Sequence, residues 1–213
     1  MVAATYLTSQ SAVLATTIIV FALSTALAFL LTRKYAKNRS RAYLFWSLGL
    51  WVFAIGMLLE VVFALNVYSQ FLADAYLLLV VVLVELLALG SMELVKTKQL
   101  RQAFIVFVVL ATLYTAYTLI TGNVGNIIVD YVVAGQLPLP VVISSSIATF
   151  AAAIVLVVVA LKSFVKTKSM KLLSIVAGVI VVSIAGTLYI VQYPAFLYIA
   201  EFIGILMLWF GFI

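Results

Sequence analysis

The stretch 71–94, FLADAYLLLVVVLVELLALGSMEL, constrains this chain most, because an almost unbroken apolar run carries three carboxylates: Asp74, Glu85 and Glu93. An ionised acid in hydrocarbon is costly, so such residues belong inside a helix bundle, on a water-filled cavity or against a partner. On a helix the step from Asp74 to Glu85 turns through about 1100°, close to three full turns, and the two share one face. Glu93 sits about 80° further round. It precedes Lys96 by three residues, which makes Lys96 its expected partner in an interfacial ion pair. The Asp74–Glu85 face is therefore expected to turn inward, with the other helices packed around it.

The remainder of the chain supplies those helices. With 68% hydrophobic residues and 8% charged residues, the composition lies far from that of soluble domains, which are about half apolar and a quarter charged. Spanning a hydrocarbon core of about 30 Å takes roughly 20 apolar residues. Seven runs qualify, at 11–31, 43–65, 71–94, 103–120, 141–161, 172–191 and 195–213. The expected fold is an all-α integral membrane protein, a seven-transmembrane-helix bundle forming one domain over residues 1–213. No basic region precedes the first run, so it is expected to be retained rather than cleaved as a signal peptide.

Every lysine and arginine falls after the first, third or fifth run: Arg33, Lys34, Lys37, Arg39 and Arg41; Lys96, Lys98 and Arg101; Lys162, Lys166, Lys168 and Lys171. Alternating connections share a side, and the positive-inside rule makes that side cytoplasmic. The N-terminus is then expected outside a cell membrane and the C-terminus inside. Placement of the bases accounts for the net charge of +6 by topology alone, and no nucleic-acid partner is expected.

Outside, two connections are short, whereas 121–140 is long. It contains Gly122, Asn123, Gly125 and Asn126, a β-prone run around Asp130, and Pro138 and Pro140. This pattern predicts a hairpin or short segment on the outer surface. Tyr68, Tyr117, Tyr131, Tyr189, Tyr193 and Tyr198 near the outer ends, with Tyr35, Tyr43, Trp46 and Trp209 near the inner ends, read as interfacial belts. Val95-Lys96-Thr97-Lys98 recurs as Val165-Lys166-Thr167-Lys168, consistent with a duplicated helix pair.

Chemistry is bounded by what is missing. The chain has no cysteine and no histidine, which removes disulfides, zinc sites of the usual kind, histidine-ligated haem and histidine-based acid/base catalysis. Neither the residues of rhomboid-type proteolysis nor a GxGD aspartyl-protease signature nor a phosphate-cradling glycine loop is present, so no enzymatic activity, cofactor or metal site is expected. Microbial rhodopsins hold retinal on a lysine of the seventh helix, but no lysine follows Lys171. The SWEET pattern of prolines within helices is also absent. The run 45–62, FWSLGLWVFAIGMLLEVV, resembles helices in the seven-helix input regions of some sensor kinases, over too little of the chain to imply a family.

Four carboxylates form the candidate site. Glu60 near the outer end of the second run, Asp74 early in the third and Glu201 early in the seventh fall in the outer half of the membrane, with Glu85 nearer the middle. No base shares that half. Such acids are expected to be neutral and hydrogen-bonded, or to hold a proton or small cation. Hydroxyls on the fourth run (Thr112, Thr115, Thr118) and the fifth (Ser144, Ser145, Ser146, Thr149) supply partners. The expected function is a small proton- or cation-linked transporter or channel using Glu85, Glu201, Asp74 and Glu60. The alternative is a sensor, receptor or accessory subunit of a larger membrane complex, with a membrane protein or a second copy as partner. Since no output domain follows the seventh run, a sensor is expected to signal sideways.

Overall fold

The computed structural model describes residues 10–129, 131–133, 135–171, 173–175, 177–178, 180–181 and 194–212. Helices α1 (Gln10–Asn38), α2 (Arg41–Ala64), α3 (Gln70–Met92) and α4 (Lys98–Gly122) lead to an antiparallel hairpin of β1 (Ile128–Val129) and β2 (Val132–Val133). Helix α5 (Leu139–Thr167), helical residues within 170–181 (α6) and α7 (Pro194–Phe212) follow. Helices α1 to α5 are each long and apolar enough to cross a membrane, so this is a multi-pass membrane protein. The expected sixth span, 172–191, lies largely outside the described residues, and the apolar part of α7 described in full, Tyr198–Phe212, is shorter than a crossing. Five crossing-length helices are thus established among the described residues, against the seven expected.

Local chemistry sets the ends of these helices. Asn66 and Asn123 take left-handed backbone at φ 61° and 43°, a conformation that asparagine tolerates better than most residues. Ser69 caps α3 by accepting from the Leu72 amide at 3.2 Å. Pro140 in the first turn of α5 lacks an N–H where the helix has no use for one. Ile128 pairs with Val133 and Val129 with Val132, forming the expected hairpin. Its Asp130 lies outside the described residues. The repeated Val-Lys-Thr-Lys takes two structures: Thr97 is the N-cap of α4, whereas Val165, Lys166 and Thr167 end α5 and Lys168 turns left-handed at φ 54°. At these loops the likeness is one of sequence only.

Helix α3 is the hub, packing against α2, α4 and α5, while α1 packs on α2 and α7. Apolar burial drives little association in lipid, so packing and hydrogen bonds must hold helices together. Val81, Ala111 and Ala148 meet where α3, α4 and α5 converge, small residues that let backbones approach. At the other α3 face, Trp46 of α2 donates to the Leu87 carbonyl at 3.2 Å and lies over Gly90, where an added Cβ would come within 2.4 Å of the indole. Trp46 also stacks obliquely on Phe212, with centroids 5.2 Å apart. It is therefore a packing residue as well as a belt residue. Tyr114 and Tyr117 remain exposed, as lipid-facing or interfacial tyrosines should be, whereas Tyr198 is buried and leaves the expected belt.

Gly90→Ala is expected to lower stability by about 1–3 kcal/mol through overpacking against the indole. At Gly56 an added Cβ meets nothing within 4 Å, so Gly56→Ala should unfold close to the unmodified protein. Thermal unfolding of the two variants in the same detergent checks the contrast, and equal losses would contradict the Trp46–Gly90 seat.

Candidate functional site

The acids divide between opposite faces of α3. Nine residues separate Tyr76 from Glu85, which on a helix is about 180° of rotation and about 14 Å of rise. Tyr76 looks towards α2 and Glu85 towards α4, as their partners show.

On the α2 side, the Tyr76 hydroxyl donates to Glu60 Oε1 at 2.6 Å. Glu60 comes from the last turns of α2 and is 1% exposed; Glu201 comes from the first half of α7 and is 5% exposed. Their carboxyls are close enough to hydrogen-bond to each other. Oε2 of each is buried with no further partner among the described residues. Tyr198, one helical turn before Glu201, is also close to both acids, with its hydroxyl beside the Val133 backbone. The hairpin packs on the C-terminal end of α2, and Tyr131 joins Val13, Ala64 and Tyr198 in one apolar cluster. Helices α2, α3 and α7 thus converge on a carboxyl pair beneath the hairpin. No lysine or arginine pairs with it among the described residues. Two adjacent carboxylates without a cation cannot both stay ionised, so the pair must share a proton or hold a cation.

On the α4 side, Thr112 donates to Glu85 Oε2 at 2.5 Å. Glu85 is 1% exposed, and its Oε1 is buried without a partner among the described residues. Thr115, one turn further along α4, has a buried hydroxyl in the same condition. Thr118 follows, sharing a 2.7 Å hydrogen bond with Ser144 of α5. Thr112, Thr115 and Thr118 therefore form a hydroxyl row about 9 Å long between Glu85 and the hairpin end of the bundle.

Asp74 and Glu93 belong to neither cluster. Asp74 shares the helical face of Glu85 as expected, but it is only half-buried and accepts from Gln70 on its own helix at 3.0 Å. Glu93 pairs with Arg101 at 3.1 Å rather than with Lys96: α3 ends at Met92, and the reversal into α4 carries Arg101 back towards it. The sequence reading did not pick out Tyr76, and it took Tyr198 for a belt residue. A signal was available for Tyr198, which precedes Glu201 by three residues and so shares its face.

Outside the membrane helices, Tyr68 donates to the Gly125 carbonyl at 2.7 Å, joining the α2–α3 connection to the loop that leads into the hairpin. Desolvation, and secondarily the Asp74 carboxylate, raise the Tyr68 phenol above its ordinary value. Comparison with family models, curated proteins and solved structures finds no match for the chain.

Tyr76→Phe is expected to destabilise the protein by about 1–3 kcal/mol, because Glu60 Oε1 stays buried without its donor. Unfolding measurements on Tyr76→Phe, Glu60→Gln and the double variant should show non-additive losses, and strict additivity would argue against the bond. For Tyr68 the folded-state value exceeds the unfolded one, so its contribution is whole below the ordinary tyrosine range and lost as pH rises through the elevated value. The absorbance difference between wild type and Tyr68→Phe should show one phenolate appearing later than free tyrosine, and coincident titration would contradict this.

Proposed function

We propose that the protein is a small proton- or cation-linked transporter of the cell membrane, with the Glu60–Glu201 pair as its binding station. One observation carries this: two buried carboxyls from different helices face each other with no basic side chain to neutralise them among the described residues. A proton shared between them, or a small cation between their free oxygens, satisfies atoms that otherwise stay unpaired at a cost of about 1–3 kcal/mol each. Tyr76 fixes one carboxyl through its hydrogen bond, and α7 brings the other, so a change of occupancy acts on the contact between α7 and α2. That couples binding to helix movement, as transport requires.

Glu85 with its hydroxyl row is a second station, deeper by about 14 Å along α3. Under the positive-inside rule the basic connections are cytoplasmic, which puts the carboxyl pair in the outer half of the bilayer and Glu85 on the cytoplasmic side of its middle. Asp74 at the outer surface contributes negative potential near the entrance rather than a binding group. The alternative, a sensor or accessory subunit without catalysis, retains the pair as a protonation-dependent clasp. It is favoured by the Tyr76 bond that ties α2 to α3, and it predicts no flux.

The test is flux in reconstituted liposomes carrying a pH-sensitive dye, under an imposed proton, sodium or potassium gradient. Wild type should show ion-dependent flux above empty liposomes. Glu201→Gln and Glu60→Gln should reduce it at least about 10-fold, equivalent to about 1.4 kcal/mol, and Glu93→Gln should leave it intact. Unchanged flux in both pair variants excludes the pair as the station. Absence of flux under every gradient, with pH-dependent binding of a partner, transfers the case to the sensor.

A further inference from the structure

The opposite end of the bundle carries a second feature, independent of the acid pair. A cavity of about 580 Å³ opens between the end of α3, the first half of α4 and the second half of α5. Its walls include Phe104, Phe107, Ile154 and Val158, and Lys162 and Lys166 line it as well. The two lysines are four residues apart, hence neighbours on one face of α5. Both are exposed.

Charge accounting leaves these lysines, like every base but Arg101 among the described residues, without a carboxylate partner. The chain has six acidic residues. Glu60 and Glu201 form the outer pair, Glu85 is taken by Thr112, Asp74 lies near the start of α3, and Asp130 belongs to the outer loop. Only Glu93 lies at the basic end, and it is held by Arg101 at 3.1 Å. No carboxylate of the described chain is left for Lys162 or Lys166. Topology and the α5 C-terminal dipole account for lysines in this turn, but neither accounts for an apolar cavity that the same lysines line.

We infer that this cavity is a binding site for an acidic phospholipid, with one acyl chain among Phe104, Phe107, Ile154 and Val158 and the headgroup phosphate on Lys162 and Lys166. The occupant has to be amphiphilic, because an anion alone leaves the apolar walls uncovered and a neutral hydrocarbon leaves the lysines unpaired. Lengths agree: from Lys166 to Ile154 is about 18 Å along α5, against about 15 Å for one leaflet of a 30 Å hydrocarbon core. A lipid standing in its own leaflet fills the site without being lifted from the bilayer. Basic pockets between membrane helices hold acidic headgroups through the same chemistry. The site rests on the membrane-spanning helices alone and stands or falls separately from the proposed transport.

Native mass spectrometry of the whole protein, released from detergent with added phosphatidylglycerol or phosphatidylcholine, tests the site. Wild type should retain phosphatidylglycerol preferentially. Lys162→Gln/Lys166→Gln should reduce that preference by about 30-fold, the expectation for two lysines near a phosphate. Lys37→Gln/Arg39→Gln, at basic residues that do not line the cavity, should reduce it much less. Ile154→Trp, which fills the cavity but keeps both lysines, should also weaken retention. Equal losses for the two double variants would mean diffuse surface charge and overturn the site. So would an unchanged preference in Lys162→Gln/Lys166→Gln that melts like wild type, full retention in Ile154→Trp, or complete displacement by inorganic phosphate, which would make it a site for soluble anions.

Discussion

Hydrocarbon gives an unpaired polar atom no solvent to turn to, so each polar side chain at depth must find its partner on another helix or on its own backbone. The bundle is arranged around this demand. Several serines and threonines fold back on their own helix: Thr16 bonds the Ala12 carbonyl, Thr32 that of Ala28, and Thr149 that of Ser145. The buried acids Glu60 and Glu85 do otherwise. Their side chains reach between helices, and the contacts of α3 with α2 and with α4 each include one such bond. Because α3 carries a polar group on each of two opposite faces, it is held from both sides, and its central position follows.

Elsewhere the helices use the same device with aromatic and basic donors. Trp209 of α7 donates to the Leu23 carbonyl of α1 at 3.0 Å, and Lys34 of α1 to the Phe212 carbonyl at 2.5 Å. The second contact satisfies a carbonyl at the end of α7, where a cation suits the helix dipole. Together they fix α7 along α1 and thereby place Glu201 at the depth of Glu60. The carboxyl pair depends on a helix seated by contacts many residues away from it.

Much of the architecture is legible in the sequence because hydropathy is a long-range signal that needs no knowledge of packing. The helices α1 to α5 are read this way, with ends displaced by a few residues where polar turns extend a helix past the apolar run, as 162–167 extend α5, and the hairpin is read from its turn-forming and β-prone residues. The helical face shared by Asp74 and Glu85 also follows from periodicity alone. Partner choice does not. Sequence spacing pairs Glu93 with Lys96, but the reversal between α3 and α4 puts Arg101 there. Grouping the outer acids by depth puts Asp74 with Glu60 and Glu201, yet depth says nothing of azimuth. Asp74 turns out to share a face with Glu85 and to stay near the surface, while Tyr76 takes the place beside Glu60. Gly90 likewise carries no mark in the sequence that a tryptophan from another helix will cover it.

Among the described residues, helix α4 touches only α3 and α5 substantially and shows an exposed apolar stripe of Val106, Val109, Leu110 and Leu113. Glu85 is shielded from acyl chains on that side by the width of this single peripheral rod, to which it is fastened through Thr112. A negative charge on Glu85 would need water or a cation beside it, because beyond α4 lies only hydrocarbon. Ionisation there would bear first on the Thr112 contact, and so on a helix that, among the described residues, leans mainly on α3 and α5.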